Sequence, residues 1–254
     1  FLLNNLNNQI DFYFETLIIN LNFREGLWTI SSNKNKKIHG KFLVCSSNLL
    51  LHKRSLEILN VKEIPLRKSI VKNNNSKIDE IIKLTNKQEY IKRINFLIYT
   101  KKNLYLKDFF KKEIIHFIFD HNAQKDIGFE RIIFQKQFDN SLGIVIHIKN
   151  KDSFINKYVL EDRKILYKCI SNKLNNFLIK NKIILEDLLL DDISIMNWRA
   201  SQPSGEGIPE RLQLCEEYNI GFCGDWFQLE GYGSVQGAIL SGLIFSDKFI
   251  NHIR

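Results

Sequence analysis

From residue 11 the chain reads DFYFETLIINLNF, a stretch rich in aromatic and β-branched residues, as strands are. REG then supplies a turn and LWTISS resumes a strand. The Asn- and Lys-rich positions 33–37 make a second turn, and KIHGKFLVCSS ends the set. The pattern predicts three strands over 11–50. KFLVCSS is an apolar run ending in small polar residues, which suits a buried strand whose carboxyl end faces a crevice. NLLLHKRSLEIL, directly after it, reads as a short helix.

Polar and apolar positions then change character. KNNNSKIDE at 72–80 is a polar loop, and YIKRINFLIYTKK, IIHFIFDHN, GFERIIFQKQF and GIVIHIKN read as strands. The turns between them are Asn, Asp and Gly clusters such as FDNSLG at 138–143, so this middle stretch is expected to form an antiparallel sheet. RKILYKCISNKLNNFLIKN at 163–181 has apolar residues at 165, 166, 169, 170, 174, 177 and 178, the spacing of a helix that packs against a sheet. ISIMNWRASQPSGEG predicts a short strand and a polar loop, NIGFC a strand, and SVQGAILSGLIFSDKFI a helix over 234–250.

Glycine sharpens the picture at the C-terminal end. Of 12 glycines, eight lie between Gly205 and Gly242, and none lies between Gly40 and Gly128. Glycine weakens regular structure unless the backbone turns sharply or something comes close to it. In GDWFQLEGYGSVQGAILSG a strand ends in Gly224-Asp225, and after a loop Gly233-Ser234 opens a helix. A helix start carries unpaired amides and about half a positive charge, Ser234 suits the N-cap, and Asp225 can accept hydrogen bonds from hydroxyls. Gly237, Ala238, Ser241 and Gly242 form a stripe without bulk, with Leu240, Leu243 and Ile244 toward the other side. This arrangement suits an anionic or polar ligand; a tight loop and a closely packed helix without a ligand is the alternative. The spacing is not that of the dinucleotide fingerprint G-x-G-x-x-G, because GYGSVQG has one residue too many.

Composition narrows the function classes. A chain of 254 residues with 44% hydrophobic and 26% charged residues buries a real core. The net charge of +9 comes from scattered lysines and arginines, which reads as a Lys-rich solvent surface and not as a nucleic-acid patch. Cys45, Cys169, Cys215 and Cys223 form no C-x-x-C pair and the six histidines no H-x-x-x-H pattern, so no metal site is expected. No apolar run approaches the roughly 18 residues of a membrane span, and FLLNNLNNQI lacks the basic flank and cleavage site of a signal peptide. A cytoplasmic location away from membranes is therefore expected. The single methionine is Met196, so the chain is expected to begin inside a longer protein.

Through Gly224, Asp225, Gly237, Ala238, Ser241 and Gly242, the segment GFCGDWFQLEGYGSVQGAILSG resembles the C-terminal flavin-binding segment of FAD-dependent amine oxidase-like proteins, especially the bacterial renalase-like oxidoreductases. MNWRASQP resembles the Trp-Arg element that precedes it there, through Trp198 and Arg199, and KFLVCSS resembles the strand before the substrate domain. The resemblance implies an α/β (mixed α+β) fold, with a partial Rossmann-like FAD domain built from both chain ends, 1–60 and 196–254. An antiparallel-sheet substrate domain, 61–195, is inserted between them. It implies FAD as cofactor, with Gly224, Asp225, Trp226, Gly233, Ser234, Val235, Gln236 and Gly237 around it. Asp225 would hold the ribityl region, and the backbone of Ser234, Val235 and Gln236 would face the flavin pyrimidine edge.

Trp198, Arg199 and Trp226 are the expected substrate-pocket residues. Core packing is the other reading of the tryptophans and a structural ion pair the other reading of Arg199. The flavin carries the redox chemistry, so no side chain is singled out as catalytic. The implied function is hydride transfer from a C–N or dihydropyridine-type small-molecule substrate to FAD. The family's N-terminal G-x-G-x-x-G turn is absent, so a separate N-terminal nucleotide-binding segment is an expected partner. The competing readings are a non-catalytic, truncated nucleotide- or flavin-binding module, and a nucleic-acid-binding protein.

Overall fold

The computed structural model describes residues 10–70, 76–100, 114–137, 141–149, 163–181 and 193–253. In chain order the strands are β1 (Ile18–Arg24), β2 (Leu27–Ser32), β3 (Lys37–Gly40), β4 (Leu43–Cys45), β5 (Glu89–Thr100), β6 (Ile114–Ile118), β7 (Arg131–Lys136), β8 (Leu142–Lys149), β9 (Ile193–Ser204), β10 (Leu214–Cys215) and β11 (Ile220–Phe222). The helices are α1 (Arg54–Ile58), α2 (Pro65–Ser69), α3 (Ser76–Lys87), α4 (His121–Ile127), α5 (Arg163–Lys180) and α6 (Val235–Ile253). Helix and sheet are mixed, and the sheets are largely antiparallel. The chain divides into two compact units, Phe1–Glu89 with Pro203–Arg254, and Tyr90–Gln202.

In the first unit β1, β2 and β3 form an antiparallel meander. Glu25 and Gly26 both have positive φ, the backbone that a tight hairpin turn with matching twist requires. The first strand starts at Ile18 and not at residue 11; Phe12, Tyr13 and Phe14 are exposed, and burial begins with Leu21. KIHGKFLVCSS divides between two sheets, because β4 leaves the meander and pairs in parallel with β11, Leu43 opposite Ile220 and Cys45 opposite Phe222. The sheet order is β10-β11-β4. Trp28 is fully buried between the two sheets' contributions to one core, and its indole N–H donates to the Tyr218 carbonyl at 2.7 Å.

The expected polar loop at 72–80 is a helix from Ser76 onward, while 72–75 lie outside the described residues. Ile78, Ile81 and Thr85 recur at helical spacing and are all buried. Ile78 and Ile81 share a core with Leu51, Leu66 and Ile220, so the first unit extends past residue 60 to Glu89. The return lies at Gln202/Pro203 and not at 195/196, because β9 continues the second unit's sheet and Gln202 accepts from Arg93 at 2.9 Å.

The second unit has a sheet in the order β6-β7-β8-β5-β9. Alternate residues Ile94, Phe96 and Ile98 of β5, Ile132 and Phe134 of β7, and Ile144 and Ile146 of β8 turn to one face and are buried. α5 covers them with Leu166, Ile170, Leu174 and Phe177. The helical spacing read over 163–181 thus corresponds to α5. The strand expected in IIHFIFDHN stops at Ile118. Asp120 then caps α4, accepting from the Ala123 amide at 2.8 Å, and Gly128 closes it with φ 81°. β9 runs to 12 residues where a short strand was expected, and residues 138–140 of the expected FDNSLG turn lie outside the described residues.

Candidate functional site

The parallel pairing brings the carboxyl ends of β4 and β11 side by side, the position where ligands bind in open α/β sheets. Gly224 follows β11 with φ +143°. A Cβ there would lie 2.2 Å from the Trp226 indole nitrogen and 2.9 Å from the Ser46 carbonyl, so only glycine fits. Its amide donates to Ser241 Oγ at 3.1 Å. Ser241 is fully buried on α6, and Gln213, also fully buried, donates from Nε2 to both its hydroxyl (3.0 Å) and its carbonyl (2.9 Å).

Asp225 comes next. Its carbonyl accepts from the Gly233 amide at 2.8 Å, closing residues 225–233 into a compact loop. Trp226 turns inward. It is 2% exposed, its ring lies 4.5 Å from that of Phe227, and its indole donates to the Cys223 carbonyl at 3.1 Å. That places it in the core, in line with the packing reading and not with a pocket wall. Gln88 secures the loop from outside, donating to the Trp226 carbonyl at 3.0 Å and to Tyr232 Oη at 3.2 Å.

The loop ends against the start of α6. Ser234 Oγ accepts from the Gly237 amide at 3.2 Å and donates to the Gly231 carbonyl, so Ser234 caps the helix. Gly237 has no room for a side chain: a Cβ would sit 2.2 Å from the Gly231 carbonyl oxygen and 3.0 Å from the Tyr232 amide. Gly237 and Ser241 thus face close neighbours, whereas Gly242 faces open space, with nothing within 4 Å of its Cβ position. The small-residue stripe makes close contacts at 237 and 241 and not at 242, and at 237 its partner is the protein's own loop. Leu243 is exposed on the other side, as are Val235 and Ile239.

Two groups at this turn are left over. The amides of Val235 and Gln236 have no hydrogen-bond partner among the described residues. The half-buried Asp225 carboxyl is pushed above its ordinary range, because desolvation outweighs the bond from its own backbone amide. Beneath them the thiol of Cys45 is driven to about 12 by burial and then by the nearby Cys223; neither is a nucleophile in that state. Among the described residues no group of three or more His, Cys, Asp and Glu side chains is placed to hold a metal. No helix among them is long and apolar enough to cross a membrane.

Gly224, Asp225, Gly233, Ser234, Val235, Gln236 and Gly237 thus converge on one turn. Trp198 and Arg199 lie on β9, in the second unit. Trp198 is 42% exposed, and the Arg199 side chain is outside the described ones. Sequence reasoning missed Gln213 and Gln88. Neither stands in a motif, and each acts from far along the chain, so no local signal marks them.

Neither a protein family nor a curated protein matches this sequence. Solved structures do match in shape. Wild-type putrescine oxidase bound to putrescine superposes over 93% of this chain with a TM-score of 0.50 and 9% identity. A fatty acid isomerase from P. acnes matches over 91% at a TM-score of 0.45 and 8% identity. The tetracycline destructase Tet(51) matches over 91% at 0.39 and 8% identity. The chain spans about half the length of these structures, 48%, 46% and 52% respectively. At these identities the likeness to putrescine oxidase is one of fold.

Proposed function

We propose that the chain is part of an FAD-dependent oxidoreductase of the amine oxidase or renalase-like type. The carrying observation is the turn at the carboxyl ends of β4 and β11. There the backbone carbonyl of half-buried Asp225 accepts from the Gly233 amide, and the loop so closed leads into the start of α6, where the amides of Val235 and Gln236 have no partner among the described residues. A raised carboxyl gains from hydroxyl donors such as those of a ribityl chain. Unpaired amides at a helix start favour electron-rich oxygen and nitrogen. The residues therefore fit a flavin whose ribityl chain meets Asp225 and whose pyrimidine edge meets Val235 and Gln236. The putrescine oxidase fold, that of an FAD amine oxidase, supports the same reading.

FAD held by these residues would supply the hydride acceptor for a C–N or dihydropyridine-type substrate. The chain's own part is to hold and orient: Gly224 and Gly237 let the backbone close in, Gln213 and Ser241 fix α6, and Asp225 accepts hydrogen bonds. We assign β4, β11 and α6 to a Rossmann-like FAD domain and the five-stranded sheet to a substrate domain. A further nucleotide-binding segment would hold the ADP half of the cofactor. The second reading is a non-catalytic flavin- or nucleotide-binding module, favoured by the closure of the glycine turn on itself.

Flavin titration of the polypeptide that carries this chain tests the assignment. Asp225→Ala is expected to weaken FAD retention about ten- to a hundredfold, the equivalent of one charged hydrogen bond. Unchanged affinity in a folded variant overturns the role of Asp225. Bound flavin without turnover of any amine or dihydropyridine favours the non-catalytic reading.

A further inference from the structure

β4 is the edge of its sheet, and its pairing with β11 leaves one side open. The Leu43 amide donates to the Asn219 carbonyl at 3.0 Å, and the Cys45 carbonyl accepts from the Cys223 amide at 3.1 Å, so both point toward β11. Strand geometry turns the N–H and C=O of Val44, between them, the opposite way. No strand among the described residues pairs with β4 on that side. Parallel strands belong to sheets that are covered on both faces. Here one face is covered by the first unit's core, through Leu43, Cys45, Ile220 and Phe222. On the other face Gly221 and Val44 stand opposite each other in register. α6 covers Gly221, where a Cβ would collide with the Phe245 ring. Val44, one strand further out, is left 45% exposed.

The flank of α6 that looks toward β4 is marked by Phe249, whose ring lies 4.4 Å from that of Phe42, the residue before β4. Val235, Gly242 and Phe249 recur every seven residues and so share that flank. A Cβ at Gly242 would meet nothing within 4 Å, and Val235 and the neighbouring Ile239 are exposed. The open strand edge, the uncovered valine and the bare helix flank adjoin one another as one surface.

Geometry sets what fits it. A strand bonded to the Val44 backbone extends the sheet, and a helix on the same face covers Val44 and lies against α6. Glycine at 242 lets two helix axes come close, since their spacing depends on the side chains between them. The putrescine oxidase fold superposes on 93% of this chain, yet the chain accounts for 48% of that fold, so about half of it lies beyond the matched part. We propose that the β4 edge and the α6 flank dock a strand–helix unit supplied from outside these 254 residues, its strand parallel to β4 and its helix over Val44 and Gly242. A second copy of the chain fits less well, because a two-fold axis would set β4 against β4 in antiparallel fashion over only three residues. The docking stands on the sheet edge and the helix flank; only the identity of the unit with the nucleotide-binding segment rests on the flavin reading.

The test compares the native polypeptide, purified from cells that make it, with the 254-residue chain. Hydrogen exchange at the Val44 amide is expected to be at least tenfold slower in the native polypeptide, while Leu43, already bonded to β11, changes little. In the native polypeptide a maleimide is expected to label Val44→Cys and Gly242→Cys at least tenfold more slowly than Asp247→Cys on the far side of α6. In the 254-residue chain the three are expected to react within a few-fold of one another. Gly242→Phe, which meets nothing in this chain, is expected to leave its circular dichroism unchanged and to restore fast exchange of the Val44 amide in the native polypeptide. Fast exchange at Val44 or equal labelling of the three positions in the native polypeptide overturns the proposal. So does protection in the 254-residue chain that grows with its concentration, which would make a second copy the occupant. If the 254-residue chain does not stay folded, the native polypeptide decides, with Asp247→Cys as its internal reference. Protection without bound flavin upholds the docking and counts against the flavin reading; bound flavin with Val44 and Gly242 open does the reverse.

Discussion

In the loop from Asp225 to Gly233 the contacts are backbone against backbone. Gly231 and Gly233 take positive φ, the Gly233 amide reaches the Asp225 carbonyl, and Gly237 touches the Gly231 peptide where a Cβ would collide. On the second face of the five-stranded sheet, away from α5, the contacts are side chain against side chain. Arg131, His147 and Asn95 stand abreast there, and one polar atom of each has no partner. The comparison teaches where a fold leaves polar groups unbonded. The glycine-rich turn attracts attention in the sequence, yet most of its glycines serve the loop's own closure, leaving Asp225 and two helix amides over. The sheet face reads as ordinary strand alternation, yet bonding capacity remains on it.

Breaking the Arg93–Glu130 ion pair, in which Arg93 Nε lies 2.9 Å from a carboxylate oxygen, is the strongest way to disturb this contrast. Both side chains are about nine-tenths buried, so Glu130→Ala leaves an uncompensated guanidinium inside the second unit. Chemical denaturation is expected to register a loss of about 3–5 kcal/mol, confined to the second unit. A loss below 1 kcal/mol would mean the charge escapes to solvent.

Next comes the glycine clasp. Gly237→Leu forces bulk against the Gly231 backbone, and overpacking of this kind costs about 1–3 kcal/mol. The first unit's melting point is expected to fall accordingly; an unchanged melt would mean the turn opens freely.

Gly242→Ala on the same helix carries the opposite sign. Its Cβ position is open and its φ ordinary, so replacing a mid-helix glycine is expected to stabilise by roughly 0.5–1 kcal/mol. Thermal melting of the two variants side by side separates a clasp residue from a bystander. Asp247→Asn, exposed near the end of α6, is the near-zero control, within about 0.5 kcal/mol.

Acid compares the units by a weaker effect. His52 in the first unit and His147 in the second are both held at about 4, below the ordinary 6.5, with burial the leading cause in each. Between these values the unfolded chain binds more protons than the folded one. Stability is therefore full above 6.5 and falls as the pH drops toward 4. His52 differs in that its Nδ1 accepts from the Arg54 amide at 2.9 Å, a bond that protonation at that atom removes. His52→Gln and His147→Gln are each expected to flatten the acid slope of the melting point. If neither does, carboxylates and not histidines set the acid limit.

Much of the architecture follows from local pattern. The apolar spacing of α5, the strand alternation of β5, β7 and β8, and the Ser234 cap of α6 depend on residues a few positions apart, so they are written into the sequence. Asp120 and Gly128 bracket α4 in the same legible way, although the aromatic run before it reads as one strand. Local pattern does not carry register, pairing partners or distant supports. Only the folded chain sets β4 parallel to β11 across 174 intervening residues, since Leu43 opposes Ile220 and Cys45 opposes Phe222 only once both chain ends share a core. Only there do Gln213 and Gln88 find the loop they brace, Trp226 turn inward, and Gly237 press on Gly231 while Gly242 faces open space. The row of Arg131, His147 and Asn95 has the same origin. Strand pairing fixes which side chains stand abreast, and a shift of one residue in any of the three strands would send its member of the row into the core.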